Sequence, residues 1–165
     1  RDAQESRGLG DVYKRQGTPI MHVEKFARGL GYFRPAAYTP SMELPDEEYP
    51  LIMMTGRILY HYNACAMTDK TEGINQIAGE SFIELNTEDA QKLGVEDGEM
   101  VSISSRRGTI QAKATVSYKT NPGECWMPFH YIEGGANWLT SDALDSISST
   151  PEYKVCTVKV EKITA

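Results

Sequence analysis

No apolar run in this 165-residue chain approaches the roughly 20 residues needed to cross a bilayer, and no signal-peptide pattern opens it. Its three cysteines, Cys65, Cys125 and Cys156, form no CxxC pair and have no histidine at ligand spacing, which argues against zinc or thioredoxin-like chemistry. An odd count of scattered thiols suits a reducing compartment. Positive charge is scarce: the formal net charge is -6 and the pI near 5.1. That balance disfavours a sequence-independent grip on nucleic acid, which is driven by phosphate neutralisation with Lys and Arg, but leaves room for a local anion site. Repeats, low-complexity tracts and heptads are also missing. The expectation is a soluble cytoplasmic protein with no nucleic-acid partner and no membrane insertion.

At 40% hydrophobic composition the chain can bury one core, and it fits one domain with extensions better than two domains. Residues 1–16 are polar and lack either structural period; they are expected to be a non-native or disordered segment outside any core. Residues 17–48 carry Phe26, Tyr32, Phe33 and Tyr38, but Pro35, Pro40 and Pro45 interrupt any long helix or central strand. This stretch reads as a connector from a preceding domain, with an acidic linker at residues 44–48. The globular domain is expected over residues 49–165.

The most informative stretch follows an apolar strand expected at residues 49–54, which runs into Thr55, Gly56, Arg57 and then Tyr60, His61, Tyr62, Asn63. Gly56 can take backbone angles closed to other residues and lets a ligand approach, while the planar fork of Arg57 matches phosphate oxygens. If the segment is extended, His61 and Asn63 share one face. From the residues alone, two readings stand side by side: an anion-facing turn, or an ordinary turn with a solvated Arg and a structural His.

Downstream the pattern is of short strands separated by turns, with one helix between them. Residues 81–85 alternate as a strand, Asn86 caps a helix over Thr87–Leu93 whose Glu88 and Asp89 suit its positive end, and Gly94 stops it. Strands follow at Met100–Ser104, at Ile110, Ala112, Ala114 and Val116 with period two, from Cys125 onward, and at Cys156, Val158 and Val160. A long loop over residues 133–150 is rich in amides, hydroxyls and carboxylates, among them Asn137, Asp142 and Asp145. It is either a nucleotide-reading loop or a surface loop built of turn residues.

The stretches "TGRILYHYNACAMT", "LNTEDAQKLGVEDGEMVSISSRRGTI", "MPFHY" and "ANWLTSDALDSISSTPEYKVC" resemble, in order and spacing, the C-terminal molybdopterin-dinucleotide-binding domain of molybdenum and tungsten oxidoreductases. The likeness is greatest to the formate dehydrogenase catalytic subunit and covers nearly all of the globular part. The connector, beginning "GTPIMHVEKF", is similar to the tail of the preceding domain in those enzymes. The fold that this resemblance implies is mainly β with short helices, a double-psi β-barrel of aspartate-decarboxylase type. The cofactor it implies is molybdopterin guanine dinucleotide, two copies holding the metal, with molybdenum or tungsten carried by the full enzyme.

By the same resemblance, Thr55, Gly56 and Arg57 lie beside the cofactor's phosphate and pterin region, with His61 and Asn63 along the same groove and Thr68 supporting the loop. Phe129 and His130 match a pterin-proximal pair, Asn137 the family's loop asparagine, and Tyr153 with Lys154 a pair that reaches the cofactor from the start of the last strand. These residue types suit the roles: Arg57 and Lys154 neutralise anionic charge, and an asparagine amide satisfies donors and acceptors of a pterin edge. Aromatic residues here also have a core-packing reading, Lys154 a solvated one, and Asp142 and Asp145 are either guanine readers or turn caps.

The family's Cys or selenocysteine metal ligand and its iron–sulfur motifs have no match here, and Cys65 is expected to be a buried, inert thiol. The chain is therefore expected to bind cofactor without completing catalysis, as a fragment or separately encoded module whose partners are the remaining domains or subunits. A stand-alone subunit like that of formylmethanofuran dehydrogenases is one alternative. Another is an adaptor barrel like those of certain ATPases, since fold alone does not fix function. A self-processing decarboxylase is excluded, because the chain has no Gly-Ser pair.

Overall fold

The computed structural model describes Phe26 and residues 29–163. The expected non-native segment at residues 1–16 lies outside the described residues, as does the first part of the connector. Residues up to Tyr38 form one unit and Thr39–Ala165 a second. In the first, residues 29–38 form neither helix nor strand, and the Arg34 guanidinium lies over the Tyr32 ring, 5.4 Å from its centroid.

The second unit is a closed barrel of six strands: β1 (Leu51–Gly56), β2 (Phe82–Asn86), β3 (Met100–Ser104), β4 (Thr109–Ser117), β5 (Glu124–Pro128) and β6 (Val155–Lys162). Their order around the barrel is β1-β5-β2-β4-β3-β6. Advancing every strand by three positions in the chain maps this order onto itself. The parallel pair β1·β5 becomes the parallel pair β4·β2, and the antiparallel pair β1·β6 becomes β4·β3. Two interlocked copies of one crossover motif, closed on each other, form the double-psi β-barrel. Closure leaves no open sheet edge to pair with another chain.

Alternation along each strand fills the interior. Val101 and Ile103 of β3 point inward while Ser102 stays partly exposed, and Ile83, Leu85, Met53, Met127 and Val158 are fully buried. Each large apolar side chain removed from water in this way contributes about 1.5–3 kcal/mol. Strand β1 begins at Leu51 rather than at residue 49, because Asp46 Oδ1 accepts from the Glu48 and Tyr49 amides and holds them in a turn, and Pro50 has no amide to donate.

Among the described residues, two α-helices join the strands. Helix α2 (Thr87–Leu93) has Asn86 Oδ1 accepting from the Glu88 amide at 2.9 Å, and Gly94 in the left-handed region at φ 67 ends it. Helix α1 (Glu72–Ala78) was not expected, and it corrects the reading of a single helix. Its signals were short: Thr71 ahead of the first turn, Ile74 and Ile77 three apart, and Gly79 after the last turn.

Candidate functional site

Strand direction gathers the site. Because β1 and β5 run parallel, Gly56 pairs with Pro128 and both strands end at the same rim. Because β6 runs antiparallel to β1, with Met54 opposite Val155, the start of β6 lies there too. Thr55, distant from Tyr153 in sequence, is buried against it: its hydroxyl donates to the Tyr153 carbonyl at 2.7 Å and its amide to the Lys154 carbonyl at 3.0 Å. The Phe129 amide donates to the Gly56 carbonyl at 3.2 Å.

From that seam a chain of contacts links all eleven candidate residues. The Arg57 guanidinium lies 5.3 Å from the centre of the Phe129 ring, and it donates to Asn63 Oδ1 at 3.2 Å. The Asn137 amide nitrogen donates to the Phe129 carbonyl at 3.0 Å. His130 follows Phe129 and lies 4.8 Å from the His61 ring, centre to centre. His61 in turn bonds to Thr68, and the Lys154 ammonium lies 5.5 Å from the Tyr153 ring centre. Arg57, Asn63, Asn137 and Lys154 are exposed, while Thr55, His61 and His130 are buried beneath them.

Residues 57–63 are not extended, so the condition for His61 and Asn63 to share a face is not met. His61 is 4% exposed, whereas Asn63 lies at the surface in the left-handed region at φ 53. The reason is hydrogen bonding. His61 Nε2 donates to the Ala78 carbonyl at 2.8 Å, and Nδ1 pairs with the Thr68 hydroxyl at 2.9 Å. Tyr131 donates its hydroxyl to the same Ala78 carbonyl at 2.7 Å. The C-terminal carbonyl of α1, unpartnered within the helix, thus anchors two side chains of the site.

His130 Nε2 is buried with no hydrogen-bond partner. Burial, assisted by the adjacent His61, pushes the His130 pKa down to about 4, so the ring is neutral at physiological pH. Cys65 is buried as expected, with burial raising its pKa, and its thiol donates to the His130 carbonyl at 3.4 Å. Asp145 caps its local turn, its Oδ1 accepting from the Ile147 and Ser148 amides and from the Ser148 hydroxyl. Asp142 lines a cleft of about 520 Å³ with Glu43, Arg106, Arg107 and Ser141.

Gly56 is required for close approach rather than for unusual backbone angles. A Cβ placed there would lie 2.6 Å from the Trp126 indole nitrogen. Gly56→Ala is therefore expected to lower stability by about 1–3 kcal/mol, since the ring must leave its place against Phe82. Thermal unfolding reads this directly, and an unchanged midpoint would mean that Trp126 moves aside freely. Trp126, Tyr131 and the Ala78 carbonyl escaped the sequence reading because none lies near its partner in the chain.

The chain matches the family model described as "Molydopterin dinucleotide binding domain" over residues 51–157. Over 149 residues, or 89% of this chain, it is 52% identical to the F420-dependent formate dehydrogenase 2 subunit alpha of Methanococcus maripaludis, of which it covers 22%. A nitrate reductase of Symbiobacterium thermophilum is 42% identical over 92% of this chain and 21% of its own length. The chain thus spans about a fifth of the length of these relatives. Among solved structures, the acetylene hydratase of Pelobacter acetylenicus superposes with a TM-score of 0.62 at 17% identity, over 70% of this chain and 18% of that one, a likeness of fold. With its closed double-psi barrel and a family match that runs from Leu51, at the start of β1, to Thr157, within β6, this chain belongs to the molybdopterin dinucleotide-binding domain family.

Proposed function

We propose that this barrel forms one wall of the binding site for molybdopterin guanine dinucleotide in a formate dehydrogenase-type molybdenum or tungsten oxidoreductase, completed by that enzyme's remaining domains or subunits. The observation that carries this reading is the convergence, at one rim, of Arg57, Asn137 and Lys154 from three separate parts of the chain. The residues suit the group. Two exposed cations answer pyrophosphate charge, an exposed amide answers a heterocycle edge, and the orphaned His130 Nε2 is a buried polar atom that a ligand would satisfy.

In this reading Arg57 and Lys154 hold the phosphates, and Asn137, held by the Phe129 carbonyl, meets the pterin or guanine edge. Thr55 and Gly56 fix the rim to which these side chains are attached. Thr68 and the Ala78 carbonyl fix the orientation of the His61 ring, which supports that of His130. Asn63 restrains Arg57, while Phe129 and Tyr153 place aromatic faces beside the two cations. When bound, the metal–dithiolene centre supplies two-electron redox chemistry. The metal ligand and iron–sulfur sites belong to other parts of the enzyme, so this chain by itself turns over no formate. Relatives named as a formate dehydrogenase subunit and as a nitrate reductase both match this chain, which supports a cofactor-holding role with substrate choice set elsewhere.

Leu59, Tyr62, Met67 and Trp138 add exposed apolar surface around the exposed site residues, as a face covered by further polypeptide requires. Among the described residues no helix is long and apolar enough to cross a membrane. A cytoplasmic location belongs to the proposal; all three cysteines are buried and unbridged. The test is titration of the chain with guanosine diphosphate. Arg57→Ala and Lys154→Ala are each expected to weaken binding about tenfold, the worth of one charge-assisted contact. Failure of the unaltered chain to bind, or binding by both variants as tight as that of the unaltered chain, would overturn the reading.

A further inference from the structure

We propose that Glu43 is a positioning residue for the cofactor site, acting through Arg107 to hold the turn that carries Asn137. This rests on the reading that Asn137 faces the cofactor. Glu43 lies in the polypeptide leading into the barrel, yet its side chain is only 10% exposed. It reaches the β3–β4 hairpin turn, where Arg107 grips both carboxylate oxygens, at 2.6 and 2.9 Å. The Thr157 amide of β6 donates to the same carboxylate at 3.0 Å, and Arg106 donates at 2.9 Å. A second bond of Arg106, to Asp46, ties down the next part of the segment.

Arg107 also works in the other direction. Its Nε and Nη2 donate to the Leu139 carbonyl, at 3.2 and 2.6 Å. Leu139 is fully buried and closes the single helical turn Ala136–Trp138, its amide donating to the Ala136 carbonyl at 2.9 Å. Asn137 sits on that turn. One guanidinium therefore connects the incoming segment with the exposed amide of the site. The residue beside Glu43 makes a parallel link: the Met42 amide donates to Glu152 at 3.2 Å, next to Tyr153 and Lys154. Both ends of the long loop are thus held from one short stretch of chain.

This network does not look like a mere surface ion pair. The Arg107 hydrogen bonds, with the Thr157 amide and Arg106, hold the Glu43 pKa down at about 2, so the carboxylate stays charged throughout the physiological range. A fork gripping two oxygens fixes direction as well as charge, which a lysine at the same place would not do.

The experiment is amide hydrogen exchange on the full chain, comparing a peptide covering residues 134–141 with one covering β3, together with guanosine diphosphate titration. In Glu43→Gln, exchange in residues 134–141 is expected to rise about tenfold while β3 is unchanged, and nucleotide affinity is expected to fall by a similar factor. Arg107→Lys, which keeps charge but loses the fork, is expected to show the same local pattern, and it serves if Glu43→Gln does not fold. Unchanged exchange in residues 134–141 in both variants would overturn the proposal, as would a rise shared equally by β3, which marks a general stabilising contact. Should Arg57→Ala leave nucleotide binding intact, the cofactor reading fails by itself, and the exchange pattern still decides whether Glu43 positions the turn.

Discussion

Arg107→Ala is expected to lower the unfolding free energy by about 3 kcal/mol. The Arg107 side chain is 24% exposed, and its removal strips a mostly buried carboxylate of a bidentate partner while leaving the Leu139 carbonyl without its donors. Arg106 and the Thr157 amide remain on Glu43, which keeps the loss below that of a fully orphaned charge. Urea denaturation measures it, with Lys159→Ala as the comparison, because the Lys159–Glu161 pair is about half exposed and should change the midpoint little. Equal shifts in the two variants would reduce the Glu43 cluster to an ordinary surface pair.

Acidification should destabilise the protein in two separable steps. Burial holds the folded-state pKa of His130 at about 4, below its ordinary 6.5, so as pH falls the unfolded chain takes up this proton first. The contribution of neutral His130 is therefore complete above pH 6.5 and is lost between 6.5 and 4, amounting to about 3 kcal/mol at the lower end. His61, Cys65, Asp69 and Tyr131 surround the ring, and only Asp69 favours its charged form. Glu43 acts in a lower window: with its pKa depressed from 4.5 to about 2, its contribution is present above pH 4.5 and fades as pH approaches 2. Chemical denaturation across pH 7 to 4 should show stability falling in the unaltered chain and a flatter profile in His130→Phe, which keeps a ring and loses the titration. Equal slopes in the two proteins would show that His130 is not the group being titrated.

Much of the fold could be read locally. The period-two pattern at Ile110, Ala112, Ala114 and Val116 marked β4, and Asn86 with Gly94 bracketed α2 to the residue, because a cap and a left-handed stop are written within one turn of the chain. The misread parts depended on distant partners. His61 turns inward because α1 offers it the Ala78 carbonyl, and the alternation of residues 60–63 contains no sign of that acceptor. Gly56 is fixed by Trp126, and Glu43 by Arg107 across the barrel, neither of which a local pattern records.

By itself, the order of residues determined which segments form strands, where α2 begins and ends, and which side chains have the chemistry to meet an anionic heterocycle. Tertiary structure alone decided that these side chains meet. Parallel pairing of β1 with β5 and antiparallel pairing with β6 bring Arg57, Phe129 and Lys154 to one rim, and the Arg107 fork sets the turn bearing Asn137. The physical reason is that strand propensity and capping act over a few residues, whereas strand order, direction and buried ion pairing are settled only when the barrel closes around its core.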